Sequence, residues 1–195
     1  GDALMSLQRY QEASESYGKA VQYKSDYYQA WSSRGWALHN LQQYEEAIAA
    51  YDKAVEINPQ YYQAWIDRGV ALGKLQRHEE AFQSFDKAVQ IKPDSAVAWL
   101  NRGMALEVLE RYEDAIASYD KAIEFNPDSF KAWNSRGYLL VQLERDAEAL
   151  TSFDRALQIK SDYSNAYYNK AACYALQGQA ESALENLQQA IKLNP

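Results

Sequence analysis

Small and aromatic residues recur along this chain at the spacing of amphipathic helices. Between positions 62 and 75, apolar and small residues return every three to four positions, which places them on one side of a helix. After a polar break at 76–78, a second apolar stripe runs through Phe85 and Ala88. Pro93 ends that stripe, because proline has no amide hydrogen for the helical ladder. The segment therefore predicts two antiparallel helices joined by a short turn.

The same pattern returns every 34 residues over the whole chain. Close backbone contact is expected at small residues such as Gly69, with Trp65 and Phe85 filling the space beside it. One hairpin cannot bury both of its faces, so a period of this length predicts stacked hairpins. The positions that keep the interval are Trp31, Trp65, Trp99, Trp133 and Tyr167; Gly1, Gly35, Gly69, Gly103 and Gly137; Ala13, Ala47, Ala81, Ala115, Ala149 and Ala183; Ala20, Ala54, Ala88, Ala122, Ala156 and Ala190; and Pro59, Pro93, Pro127 and Pro195.

The repeated unit resembles the tetratricopeptide repeat, through the run Trp31-x-x-Arg34-Gly35-x-x-Leu38, then Ala47-x-x-x-Tyr51-x-x-Ala54, then Pro59. The resemblance covers the whole chain. It implies an all-α fold, a right-handed superhelical solenoid of antiparallel helical hairpins, with eleven full helices, one truncated helix and no strand. We expect a single array with repeats at 1–27 (truncated), 28–61, 62–95, 96–129, 130–163 and 164–195.

The two ends of the chain predict that it is a piece of a longer array of the bacterial type. Gly1 already occupies the eighth repeat position, and Pro195 is the stop signal of the sixth repeat. Arrays of stacked repeats need a polar cap at their ends for solubility, and we see none in the sequence.

Composition narrows the possible partners. The chain has 20 Lys and Arg against 27 Asp and Glu, a net charge of −7, which disfavours binding to nucleic acid backbones. No apolar run is long enough to cross a bilayer, so we expect no membrane insertion. The single cysteine, Cys173, suits a reducing compartment, and we expect a cytoplasmic location.

Candidate chemistry is sparse. His78 occupies the repeat position that holds tyrosine elsewhere, and Cys173 occupies an alanine position, so both are expected to be packing residues. No histidine, cysteine or carboxylate group has metal-ligand spacing, and no nucleophile lies beside a base. We therefore expect no enzyme activity, no cofactor and no metal site.

A second stripe on the first helix of each hairpin is left over once the motif positions are removed. The resemblance implies that these positions (2, 5, 6, 9, 12 and 13 of the repeat), here called the groove positions, line a concave surface that binds extended or helical peptides. Trp36 is the one tryptophan outside the motif, and Trp and Tyr dominate interface hot spots. The alternative is that Trp36 covers the flank of a neighbouring helix. The residues expected to bind a peptide are Ser33, Trp36, His39, Ile66, Asp67, Val70, Leu100, Asn101, Met104, Lys131, Asn134, Tyr138, Tyr168 and Asn169.

The resemblance implies two possible modes of peptide binding that are known in the family. One mode is a clamp in which five polar or basic side chains hold a C-terminal carboxylate. Asn101 and Lys131 suit two of the five clamp positions, but Ile66, Val70 and Ser135 occupy the other three. A row of polar side chains at position 6 that grips a peptide backbone fits better. The competing function is a structural spacer, or an array that associates end to end with copies of itself.

Position 7, usually leucine in this family, is basic in this chain. A charge at a helix seam needs a partner, and aspartate at position 25 offers one. Pairing with the preceding repeat would fail for Arg34, because Gly18 occupies that position. In the sixth repeat both residues change, to Lys170 and Gln188, which favours pairing within a repeat. The predicted structural contacts are Arg34–Asp52, Arg68–Asp86, Arg102–Asp120 and Arg136–Asp154.

Overall fold

The computed structural model describes residues 1–194, and Pro195, the predicted stop of the last repeat, lies outside them. Twelve helices and no strand are present in the described residues, which confirms the all-α hairpin fold with one shortened helix. The helices are α1 Asp2–Ser6, α2 Tyr10–Tyr23, α3 Tyr28–Asn40, α4 Tyr44–Ile57, α5 Tyr62–Lys74, α6 His78–Ile91, α7 Ala96–Val108, α8 Tyr112–Phe125, α9 Phe130–Gln142, α10 Asp146–Ile159, α11 Ser164–Leu176 and α12 Ala180–Leu193.

Each hairpin turn passes through one residue in the left-handed conformation. In the third hairpin this is Gln76, with φ 59°, and the next amide, that of Arg77, donates to the carbonyl of Leu72 at 3.0 Å. This bond across the end of the first helix satisfies a carbonyl that the helix itself leaves unpaired. Among the hairpin turns within residues 1–194, only the last has glycine at this place, Gly178, with φ 72°.

The chain divides into two compact units, Gly1–Ala105 and the residues from Leu106 onward. In the first unit, consecutive helices α1 to α5 contact one another in order, α5 contacts α6, and α3 also contacts α5. In the second unit, consecutive helices α8 to α12 do the same, and α9 also contacts α11. First helices of successive hairpins therefore share a face within each unit.

Glycine allows a close contact between the two helices of a hairpin. A β-carbon added at Gly69 would lie 2.6 Å from Cε1 of Phe85, and one at Gly137 would lie 2.6 Å from Cε1 of Phe153. Phe153 is fully buried, so the ring packs directly on the glycine backbone. The close approach predicted at Gly69 is thereby confirmed.

The motif tryptophans tie each first helix to the loop before it. Their indole nitrogens donate to carbonyls six residues upstream, at 2.7–3.0 Å. The donors and acceptors are Trp31 and Ser25, Trp65 and Pro59, Trp99 and Pro93, and Trp133 and Pro127. These four tryptophans are thus accounted for by the fold.

The predicted pairing of arginine and aspartate within a repeat is wrong. At four seams the basic residue instead contacts the aspartate of the preceding repeat, 16 residues earlier, because the first helix presents position 7 to the seam with the second helix before it. The observed N–O distances are Arg68 Nε–Asp52 2.6 Å, Arg102 Nε–Asp86 2.8 Å, Arg136 Nε–Asp120 2.6 Å and Lys170 Nζ–Asp154 2.6 Å.

Arg34 is the exception that the correct pairing predicts. Where the other seams carry an aspartate 16 residues earlier, Arg34 has Gly18. Within residues 1–194, the buried Nε of Arg34 has no hydrogen-bond partner. The guanidinium lies over the Trp31 ring, with Cζ 5.8 Å from the ring centroid. Elsewhere a serine 16 residues later also accepts from the arginine, as Ser84 does from Arg68 Nη1 at 2.7 Å. At Arg34 that later position is Ala50.

Candidate functional site

Trp36 lies at a groove position of α3 and is 45% exposed, as predicted. Its ring packs edge-on against Tyr10 of α2, with the ring centroids 6.1 Å apart. One flank of the indole is therefore supported by a neighbouring helix, while almost half of the side chain faces solvent. Trp36 combines features of both interpretations, since it covers part of α2 and still offers an aromatic surface.

A cavity of about 270 Å³ lies beside Trp36 in the first unit. Asp67 of α5 lines it, and the Gln63 side chain donates to Asp67 Oδ1 at 3.0 Å. Burial raises the pKa of Asp67 to about 6, and the Gln63 hydrogen bond only partly opposes this effect. The other residues that line the cavity are Asp2, Met5, Tyr17, Ser32, Ser33, Trp36, Tyr61 and Gln63.

The structure corrects the expected exposure of two groove residues. Ile66 is only 4% exposed and belongs to the core of the first unit, and Asn134 is only 8% exposed. Both occupy position 5, as does the buried Ser32. Since first helices of successive hairpins contact each other, these three side chains are shielded between them. Ile66 and Asn134 therefore offer little surface to a partner.

The remaining groove residues of the first unit differ in exposure. Met104 is 51% exposed, whereas Leu100, which was also expected to bind a peptide, is only partly exposed. Val70 packs against the core of the unit. His39 lies edge-on to the Tyr44 ring at 5.1 Å, and burial followed by the charge of Lys74 lowers its pKa. Ser33 and Asn101 are partly exposed.

In the second unit, the exposed aromatic at the groove positions of α9 is Tyr138, at 41%. Lys131 on the same helix is exposed, and Tyr168 on α11 is 61% exposed. Sequence reasoning passed over Glu107, which accepts a hydrogen bond from the buried Tyr119 hydroxyl at 2.6 Å. Burial raises the pKa of Glu107. The only feature of the sequence that pointed to Glu107 was its place at position 12, which is a groove position.

The asparagine side chains already donate within the chain. Asn101 Nδ2 donates to the Val97 carbonyl at 2.8 Å, and Asn169 Nδ2 donates to Asn134 Oδ1 at 3.1 Å. A peptide gripped by these amides would have to displace those bonds. The two asparagines at position 6 are thus less available to grip a peptide backbone than the predicted row of polar side chains requires.

Within residues 1–194, no three histidine, cysteine or carboxylate side chains are grouped so that they could hold a metal ion. None of the helices in that range is both long and apolar enough to cross a bilayer. Cys173 is fully buried, and burial raises the pKa of its thiol.

Family models match most of the chain. A model described as tetratricopeptide repeat matches residues 28–61, 96–129 and 164–195. A second, described as TPR repeat, matches 1–42 and 137–178, and a third, described again as tetratricopeptide repeat, matches 50–83 and 118–151. The chain belongs to the tetratricopeptide repeat family. Its fold is that of a protein-interaction scaffold.

Solved structures of tetratricopeptide repeat proteins superpose closely on this chain. YrrB, described as "a TPR protein with an unusual peptide-binding site", is 26% identical with a TM-score of 0.80, over 93% of this chain and 94% of YrrB. MamA is 21% identical with a TM-score of 0.77, over 82% and 93% of the two chains. MamA from Desulfovibrio magneticus RS-1 is 15% identical with a TM-score of 0.80, over 85% and 94%. No curated protein matches this chain in sequence.

Proposed function

We propose that this tetratricopeptide repeat chain binds an extended or helical segment of a partner protein at the groove positions of its first helices. The observation that carries the proposal is the exposure of Trp36, Met104 and Tyr138, which are 45%, 51% and 41% exposed. None of the three is a position that holds a hairpin together. Large apolar side chains left in water at one set of repeat positions are typical of an interaction site.

The likeness to YrrB supports this proposal. That protein is described as having a peptide-binding site, and at 26% identity the two chains match over almost their full lengths. Because the Asn101 and Asn169 amides are engaged within this chain, aromatic and apolar anchoring explains binding better than a row of backbone-gripping amides. The partner segment would then place apolar side chains against Trp36 or Tyr138.

The test starts from a displayed library of random twelve-residue peptides, selected against the whole chain. Synthetic copies of the recovered peptides are titrated by calorimetry against Trp36→Ala and Tyr138→Ala. Each substitution removes a half-exposed aromatic, and loss of a hot spot costs about 2 kcal/mol, roughly a thirtyfold weaker Kd. Helicity should be unchanged, since neither side chain closes a hairpin.

Each variant has a matched control with similar exposure away from the groove positions. Tyr27 is 42% exposed and precedes α3, and Phe125 is 40% exposed and ends α8. Tyr27→Ala and Phe125→Ala should leave the Kd of the peptides unchanged. Equal losses in the controls and in the groove variants would refute the proposed site.

A second candidate function, self-association, is favoured by one separate feature. Helices α11 and α12 line an apolar cavity of about 490 Å³ that includes Tyr168, Leu184 and Leu187. Leu184 is 58% exposed and Ile191 is 57% exposed. If this surface joins copies of the chain, light scattering should show a mass that rises with concentration, and Leu184→Glu should abolish the rise. A constant monomer mass would remove this candidate.

A further inference from the structure

One carboxylate at the groove positions has no structural role that the repeat explains. The aspartates at position 25 each neutralise a basic residue at a helix seam. Asp67 occupies position 6, where the other hairpins carry the neutral residues Ser33, Asn101, Ser135 and Asn169. It is therefore an addition to the pattern that does not hold the hairpins together.

The charge of Asp67 is not balanced by the protein. Its hydrogen bond comes from the neutral Gln63 amide, and no lysine, arginine or histidine among residues 1–194 lies within 4 Å of its carboxylate. Asp2, the other acid that lines the cavity, accepts a hydrogen bond from the Tyr17 hydroxyl at 2.5 Å. A partly buried carboxylate in this position gains most from a cation brought by a ligand.

The size and lining of the cavity indicate what kind of cation fits. Small-molecule sites commonly occupy about 300–1,000 Å³, and this cavity measures about 270 Å³, so it suits a single long side chain. Trp36 and Tyr61 are among the lining residues, and aromatic rings attract an ammonium or guanidinium group that lies over them. The Ser32 and Ser33 side chains add hydroxyl acceptors for the remaining N–H groups.

We infer that this cavity binds a lysine or arginine side chain of the partner segment, with Asp67 as its counter-ion and Trp36 at its rim. The inference rests on the proposed peptide-binding function and adds a chemical requirement to it, namely a basic residue at one place in the segment. The net charge of −7 favours the approach of such a segment.

The experiment uses three small probes on the whole chain: N-acetyl-lysine methylamide, N-acetyl-arginine methylamide and the neutral N-acetyl-norleucine methylamide. Nuclear magnetic resonance follows the backbone amides of Ser33 and Asp67 and the indole N–H of Trp36. The two cationic probes should shift these signals in a saturable way, and the norleucine probe should not. The lysine and arginine titrations show which of the two groups is preferred.

Asp67→Asn removes the charge while keeping a side chain of nearly the same shape that can still bond to Gln63. It should weaken binding of the cationic probes at least about tenfold. Asp94→Asn is the matched control, because it removes one charge from an exposed loop residue of the same unit. Equal shifts with lysine and norleucine, or equal probe affinities in Asp67→Asn and Asp94→Asn, would overturn the inference.

The peptide selection separates this inference from the proposed function. Peptides that depend on Trp36 but tolerate Asp67→Asn and carry no common basic residue would overturn the cation site and leave the groove intact. Cationic probes that bind through Asp67, with no recovered peptide whose binding depends on Trp36 or Tyr138, would support the cation site and refute peptide binding.

Discussion

The incomplete seam at Arg34 predicts that Gly18→Asp stabilises the protein. Gly18 lies in α2, 16 residues before Arg34, the same separation that joins aspartate to its basic partner at four other seams. A β-carbon at Gly18 would lie 3.8 Å from Arg34 Nε, which is ordinary van der Waals contact. The new carboxylate therefore has room to accept from Nε, as at the other seams.

The magnitude follows from the existing pairs. Their aspartates are 30–53% exposed, so water competes for the carboxylate, and exposed ion pairs are worth only about 0.2–1 kcal/mol. Giving the buried Nε a partner adds about 1 kcal/mol. Replacing a helical glycine by aspartate adds about 0.3 kcal/mol. We expect Gly18→Asp to raise the free energy of unfolding by about 1.5–2.3 kcal/mol.

A double-mutant cycle isolates the pair. Denaturant unfolding is measured for Gly18→Asp, for Arg34→Leu and for the double variant, with Gly18→Ala as a control for helix propensity. The coupling energy should be about 1 kcal/mol and should fall in high salt, because the pair is partly exposed. Amide hydrogen exchange at the seam between α2 and α3 should be slower in Gly18→Asp than in the parent protein. A coupling energy of zero would show that position 25 of the preceding repeat does not bind the position 7 arginine.

Two further predictions test the hairpin contact and the groove carboxylate. Gly69→Ala should destabilise the protein by about 1–2 kcal/mol, because the new β-carbon would lie 2.6 Å from the Phe85 ring. Gly73→Ala in the same helix should stabilise the protein by about 0.5–1 kcal/mol, because nothing lies within 4 Å of its β-carbon. Equal effects of the two substitutions in denaturant unfolding would contradict the close contact at Gly69. Burial raises the pKa of Asp67 in the folded state to about 6, above its ordinary 3.8. Between these two values the folded protein keeps a proton that the unfolded chain releases. The free energy of unfolding therefore falls as the pH rises from about 4 to 6. Relative to Asp67→Asn, the free energy of unfolding of the parent protein should fall by up to about 2 kcal/mol between pH 4 and 7. If the two proteins show the same pH dependence of stability, the Asp67 carboxylate is not buried as described.

The sequence predicted the fold, and it singled out two aromatic side chains at the groove positions that are exposed in the structure. Trp36 and Tyr138 were identified because the repeat does not require aromatics there, and both are exposed. The burial of Ile66 and Asn134 could not be predicted from the sequence, because helical spacing puts position 5 on the same stripe as the exposed positions. Contact between successive first helices, which spacing does not report, buries them.

The sequence alone determined the hairpins, their period and the glycine contact at Gly69, because these depend on spacing within a few helical turns. Only the tertiary structure decided which aspartate each arginine binds. Asp52 lies 18 residues after Arg34 and 16 before Arg68, so a periodic sequence offers both partners at nearly equal separation. The seam between successive hairpins brings Asp52 to Arg68, and the same packing leaves the Arg34 Nε buried without a partner among residues 1–194.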